Sequence, residues 1–365
     1  MQQQLIQANE TFALKKLKGI KPKQIKVKES SRLDYLNFVC HDLFSKHEFE
    51  FRRCNDYLPT DYFVKRVNKI SKDLKPKLEN FELDKSVITD FVLSNTNKED
   101  LDLASYLGAC SSVLLQSWVN DLKNTSRRSI FYINGGGNTF NSLFRGVSNI
   151  DLLIIDNFQG TQIASDMALG ENSFVGSLFG LNINGKYCFT ELATSKGVIG
   201  LLAVSNWQSN GCLGSISSWE SCVDLFVANN IGGDDNFNNL CDHGTIRLLY
   251  ANNIRGKNCF DDYDCLNNLK LAVVSDCLIS QLNFLTKQYG PEEEILDIVV
   301  ARKTISKKNP EQLKQVKEKY QLTKITNLLD EMNGASELEI IQNALQIEKI
   351  YHQIKLSLPN YYEGR

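Results

Sequence analysis

Between residues 129 and 289 apolar and polar positions alternate in a unit that returns every 23–25 residues. The stretch VDLFVANNIGGDDNF at 223–237 is echoed by IRLLYANNIRGKNCF at 246–260. Anchored on the second asparagine, the unit places Asn134, Asn157, Asn182, Asn206, Asn230 and Asn253 at steps of 23, 25, 24, 24 and 23, and Asp276 follows 23 later. Three positions after each anchor stand Gly137, Gly160, Gly185, Ser209, Gly233 and Gly256, until Ile279 breaks the series. A fixed period in this range is the mark of stacked repeats.

Upstream of each anchor the pattern has period two. Ile150, Leu152 and Ile154 recur as Val175, Ser177 and Phe179, as Ile199, Leu201 and Ala203, as Val223, Leu225 and Val227, as Ile246, Leu248 and Tyr250, and as Leu269, Leu271 and Val273. Such alternation predicts a strand with that set facing the core. The intervening Leu153, Leu178, Leu202, Phe226 and Leu249 are apolar too, which predicts an outer face that is partly covered. After the Asn-x-x-Gly turn a second apolar cluster recurs, including Phe140, Ile163, Cys188–Phe189, Cys212–Leu213, Phe237 and Cys259–Phe260. Each unit therefore reads as one coil of a β-solenoid, a parallel β-helix-like stack of about seven coils. Asn and Gly serve the corners, where left-handed backbone is needed, and the anchor series forms a structural turn ladder.

The alternative is a leucine-rich-repeat-like solenoid, whose pattern partly fits Leu225-x-Val227-x-x-Asn230. That repeat wants an aliphatic residue two positions after the asparagine, where this chain has Gln159, Asn184, Gln208, Gly232 and Arg255. The short period of hexapeptide solenoids is absent.

The flanks read as helical. LASYLGACSSVLLQSWVNDLK (103–123) is apolar enough for a buried helix and ends just before the first coil, as an end cap should. Upstream, LDYLNFVCHDLFSK and TDYFVKRVNKISKDL read as helices bounded by Pro59 and Pro76. Beyond the coils, PEEEILDIVVARKTISKK opens like a helix, with proline and three glutamates at its start. In the last segment Ile340, Ala344, Ile347, Tyr351 and Ile354 form one apolar stripe, which predicts packing against neighbouring helices in preference to a dimer seam.

Composition sharpens these boundaries. Basic residues exceed acidic ones by five in 1–128, while acidic residues exceed basic ones by six in 129–289 and by one in 290–365. The chain divides into a basic flexible arm (1–32), a helical N-terminal region (33–128), the solenoid (129–289) and a helical C-terminal region (290–365). No apolar run approaches the ~18 residues of a membrane span. MQQQLIQANE lacks the basic-then-apolar pattern of an export signal, and the ten cysteines show no disulfide-framework spacing. These features predict a cytoplasmic protein.

Candidate chemistry is sparse. Lys15, Lys16, Lys18, Lys21, Lys23, Lys26, Lys28 and Arg32 form a basic run that suits an anion such as a phosphate backbone, without interleaved aromatics for base stacking. Cys40, His41, His47 and Cys54 have metal-ligand chemistry but match no common zinc spacing, so no metal and no cofactor is expected. Cys188, Cys212 and Cys259 share a coil position, the first two within disulfide reach if stacked, and read as small core fillers. Asp234, Asp235, Asp261, Asp262 and Asp264 gather on one side of successive coils as an acidic face, the arrangement a carbohydrate-active enzyme would need. The coils leave no room for the long loops of a cleft. The expectation is a non-enzymatic binding or scaffold protein with a protein partner. The alternatives are an RNA- or ribosome-associated factor anchored by the arm, and a carbohydrate-active enzyme using the aspartates.

Overall fold

The computed structural model describes residues 32–51, 60–260, 269–278, 295–301, 304–307 and 310–359. Among the described residues four helices come first: α1 (Arg32–Phe51), α2 (Thr60–Leu78), α3 (Lys85–Ser94) and α4 (Leu101–Asn124). Eleven strands follow: β1 (Ile130–Asn134), β2 (Asn149–Asp156), β3 (Gln159–Thr161), β4 (Phe174–Leu181), β5 (Asn184–Lys186), β6 (Val198–Gln208), β7 (Cys222–Gly232), β8 (Thr245–Arg255), β9 (Leu271–Leu278), β10 (Ile295–Ala301) and β11 (Thr304–Lys307). Helices α5 (Pro310–Lys319), α6 (Leu322–Glu331) and α7 (Glu337–Ile354) close the chain.

The repeat is a β-solenoid of about six turns. β1, β2, β4, β6, β7, β8 and β9 stack in chain order as parallel neighbours, and β3 pairs with β5 in a second short ladder. No helix lies between β1 and β8, which removes the leucine-rich-repeat alternative. The stacked aromatic pair Phe237–Phe260, 4.5 Å between ring centroids, shows like residues of adjacent coils in contact. Gly185 and Gly256 are required where corners approach most closely. A Cβ on either would lie 1.8 or 1.7 Å from the preceding coil's carbonyl oxygen, at Gly160 and Gly233.

The strand faces differ from the simple alternation. The ladder passes from Ile150↔Val175 to Leu152↔Ser177 and from Val223↔Ile246 to Leu225↔Leu248, stepping over Asp151, Gly176, Asp224 and Arg247. One skipped residue per strand exchanges the faces beyond it. Ile150, Val175, Ile199, Val223 and Ile246 line the interior, but so do the intervening Leu153, Leu178, Leu202, Phe226 and Leu249. Leu152, Ile154, Phe179, Leu201, Leu225, Val227, Leu248 and Tyr250 instead face outward.

That outward face is covered by the chain's own C-terminal helices. Ile340, Ala344, Ile347, Tyr351 and Ile354 pack on it together with Leu322, Ile325 and Leu329, so the apolar stripe of α7 packs on the sheet as well as on its helical neighbours. Burying each large apolar side chain contributes about 2 kcal/mol before entropy is counted. A polar clasp fixes the register. Glu348 accepts from Ser177 Oγ at 2.9 Å and pairs with Arg128. Asp224 accepts from Tyr351 Oη at 2.7 Å and from Arg247 at 2.9 Å, and Arg247 also donates to the carbonyls of Leu358 and Pro359. Asp330 receives Asn229 and Asn230 at 2.8 and 3.1 Å. Ser336 and Glu339 form a reciprocal capping box that starts α7.

Both ends are capped. α4 lies against the first coil: a Cβ on Gly108 would meet the Asn141 carbonyl oxygen at 2.4 Å. From the same helix Gln116 Oε1 accepts from the amides of Ser148 and Asn149 at 3.0 Å each, satisfying donors the coil cannot. At the other end β10 pairs antiparallel with β9, and β11 with β10. Residues 295–301 and 304–307 are therefore strands and not the continuation of a helix. The run ILDIVVA is rich in β-branched residues, and pairing it with the last coil satisfies that coil's backbone edge. Pro76 lies inside the last turn of α2 and does not bound it, because a proline there forfeits a single backbone bond. Arg32, read as part of the arm, is the first residue of α1.

Candidate binding face

With one face under helices and both ends capped, the solenoid offers its return side, the segment that carries each coil back to the next strand. This side is built in an unusual way. Residues 187, 189, 191, 193 and 195 all have φ near +50 to +55°, and so do 213, 215, 217 and 219 and 235, 237, 239, 241 and 243, within about ten degrees. The left-handed residues donate alternately to the two neighbouring coils. Phe189 N bonds Ile163 O of the preceding coil at 2.8 Å, Glu191 N bonds Gly214 O of the next at 2.9 Å, and Ala193 N returns to Met167 O at 2.9 Å. Among the described residues no Val, Ile or Thr has a positive φ, as the steric cost of a branched Cβ there requires.

This alternation sends side chains inward and outward in pairs. Cys188–Phe189 and Leu192–Ala193 point in, as do Cys212–Leu213 and Phe237, Leu240 and Cys241. The pairs between them, at 190–191, 214–215 and 238–239 and then at 194–195, 218–219 and 242–243, form two outward rows. Between the first row and the corner positions 186–187, 210–211 and 235 lies a groove of about 490 Å³ lined by Lys186, Tyr187, Glu191, Asn210, Asp235 and Asn239, with Gly211 and Gly214 also in its lining. The second carries Trp219, 62% exposed and tilted over the His243 ring at 5.5 Å. Trp219 and Glu220 are consecutive left-handed residues at φ 55 and 62°, a conformation that holds the indole out from the corner.

The residues singled out in the sequence fall into different roles. Among the anchors, Asn157, Asn182, Asn206, Asn230, Asn253 and Asp276 adopt left-handed backbone with φ of 53–60°; Asn134, in the first coil, does not. Asn253 Nδ2 donates to Asn230 at 2.6 Å and Asn230 to Asn206 at 3.1 Å, while Asn134 and Asn182 both donate to Asp156, at 2.6 and 2.8 Å. The ladder is thus continuous over three coils, and two further anchors meet separately on one carboxylate. Burial pushes Asp156 above the ordinary carboxylate range, against the lowering effect of Asn182, Tyr132 and Asn134.

Asp234 and Asp235 hold the next corner. Asp234 accepts from Lys257 N at 2.8 Å and Asp235 from Asn258 Nδ2 at 3.1 Å. Asp261, Asp262 and Asp264 lie outside the described residues, as do Lys15, Lys16, Lys18, Lys21, Lys23, Lys26 and Lys28. Arg32 pairs with Asp84 at 2.9 Å and donates to the Glu82 carbonyl.

Cys40 is buried against Cys110, His47 bonds Asp73 at 2.9 Å, and His41 is lowered by burial and by Lys98. Cys54 lies outside the described residues, and among those described no cluster of His, Cys, Asp and Glu could hold a metal ion.

All described cysteines are free thiols. Cys188, Cys212 and Cys259 have a common task that the sequence reading missed: each donates toward the glycine or other carbonyl at the corner below, at Gly160 (3.5 Å), Gly185 (3.8 Å) and Gly233 (3.9 Å). Asn236 does the same between Cys212 and Cys259, donating to the Ser209 carbonyl at 2.9 Å. Burial pushes the Cys259 thiol up to about 12, so it stays protonated at neutral pH.

No family model, curated protein or solved structure matches this chain. Among the described residues no helix is long and apolar enough to cross a membrane. Tyr187 and Trp219, the exposed aromatics of the return side, were not singled out by the sequence. The signal that finds them is the paired spacing of the inward cluster, which leaves positions 186–187 and 218–219 outside.

Proposed function

We propose that this chain is a non-enzymatic binding protein that presents the return side of its solenoid to a protein partner. The observation that carries the reading is Trp219, an exposed indole fixed on a rigid, hydrogen-bonded face and bordered by polar side chains. Interface hot spots have this anatomy: tryptophan is enriched there, and a polar surround excludes water from it. The rest of the molecule supports the division of labour, since the sheet face is occupied by α5–α7 and the ends by caps. The aspartate reading is weakened because Asp234 and Asp235 accept bonds that hold adjacent coils together.

The test is affinity capture from native lysate with the wild-type chain and with Trp219→Ala, checked for an equal melting temperature. A stoichiometric protein held by the wild type and lost with Trp219→Ala supports this reading. A partner held equally by both sinks it. Nucleic acid that leaves as salt rises would instead favour the arm as an RNA anchor.

A further inference from the structure

We infer that the groove across 186–191, 210–215 and 235–239 is a binding site for a neutral carbohydrate. It lies one outward row away from Trp219 and does not depend on the protein-partner reading. The argument starts from what lines it. Tyr187, 40% exposed, stands beside Gly211, where a Cβ would come within 3.2 Å of the Tyr187 ring. The ring therefore has a bare backbone at its side, and Gly214 is a second lining residue without a side chain. Around it are the amides of Asn210, Asn238 and Asn239 and the carboxylates of Glu191 and Asp235, with Lys186 at the edge. One aromatic ring among amides and carboxylates matches a sugar, whose apolar C–H face lies on the ring while its hydroxyls both donate and accept.

The same lining argues against other ligands. Two carboxylates face a single lysine, so a phosphodiester or sulfated chain would meet net repulsion. Tyr187 is the only sizeable apolar side chain, which gives the aliphatic groups of a peptide nothing to fill. At about 490 Å³ the groove falls in the usual range for ligand sites, about 300–1,000 Å³. Its polar groups are also held in place. Asn210 accepts from Asp234 N at 2.8 Å, Asp235 from Asn258 at 3.1 Å, and Thr190 Oγ1 is tied to Ser165 and the Tyr187 carbonyl. Preorganised groups lose little freedom on binding.

The experiment is a printed array of neutral and anionic oligosaccharides, followed by calorimetry of the full chain with the best neutral oligosaccharide. The expected result is binding of a neutral oligosaccharide that weakens about tenfold in Tyr187→Ala and stays unchanged in Trp219→Ala. Alanine already occupies the same left-handed setting at Ala164, Ala168 and Ala193, so Tyr187→Ala is expected to fold. Gly211→Asn, a left-handed position where asparagine is tolerated, adds a side chain to the groove's lining and is expected to block binding as well. No neutral sugar bound at millimolar concentration, binding that ignores both Tyr187→Ala and Gly211→Asn, or a preference for anionic glycans overturns the inference. None of these results touches the capture experiment, whose outcome turns on Trp219.

Discussion

Each coil is stacked in two different ways on its two sides, and the two sides constrain sequence differently. On the sheet side, extended strands hydrogen-bond in parallel register and bury both faces, one inside the solenoid and one under α5–α7. On the return side, every second residue is left-handed, the donors alternate between neighbours, and only one face is buried. Branched residues such as Ile199, Val223 and Ile246 fill the first side, whereas branched residues are kept off the left-handed positions of the second. The sheet side thus holds the molecule together, and the return side holds a shape.

The sharpest way to break that contrast is to remove one tryptophan from each setting. Trp207 is fully buried, donates to the Gly180 carbonyl at 2.9 Å and meets Phe189 edge-on at 4.9 Å. Trp207→Ala is expected to cost about 3–5 kcal/mol in denaturant unfolding, through lost transfer energy and a cavity. Trp219→Ala should stay within about 0.5 kcal/mol of wild type, as exposed substitutions do. Equal losses would mean that the return side carries stability in the same way as the sheet.

Coil spacing provides the next test. Gly185→Ala puts a methyl group where the Gly160 carbonyl oxygen already sits, and the clash is with backbone that cannot swing away. A loss of about 3 kcal/mol is expected, read from the urea midpoint. At Gly170, where a Cβ would meet nothing within 4 Å, Gly→Ala is opposed only by its φ of +89°, so about 1 kcal/mol is expected. If the two cost the same, close approach is not what selects glycine at the corner.

The left-handed rule can be tested where packing plays little part. Asn239 is exposed at φ 54°, and its neighbour Asn238 has no positive φ. Asn239→Val should cost about 1–2 kcal/mol and Asn238→Val clearly less, because only the first forces a branched Cβ into left-handed backbone. A reversed order, measured by thermal unfolding, would show that side-chain contacts outweigh backbone on this side.

These differences explain what the sequence made legible. The Asn and Gly series and the strand periodicity sufficed for a solenoid, since corners and strands each leave residue-type signatures. The face assignment failed at Leu152 and Leu153 because one skipped residue per strand inverts the alternation, and nothing at Asp151, Gly176 or Arg247 announces it. Over 295–301 and 304–307 strands stand where a helix is expected, because the β-branched ILDIVVA outweighs the helix-start signal of the glutamates before it. The groove was hidden for a different reason: Tyr187 and Glu191 come close to Asn210 and Asp235 only through stacking, and the spacing of two inward and two outward residues belongs to a backbone that is neither helix nor strand.

The smallest effect expected concerns the carboxylate on which two anchors meet. Asp156 is 3% exposed on the covered side, accepting from Asn134, Asn182 and Tyr132, and burial raises its pKa above the unfolded value of about 3.9. Between those two values the folded state holds the proton more firmly than the unfolded state. The linked stability is therefore fully present below the unfolded value and is lost as pH rises through the folded one. Asp156→Asn removes the titration while keeping an oxygen that can accept from Asn134 or Asn182. Relative to this variant, the wild type should lose melting temperature as pH climbs from acidic toward neutral, and the gap should level off once Asp156 is ionised. Melting curves of the two proteins across that range that stay parallel would show that the three donors, and not burial, set the ionisation of Asp156.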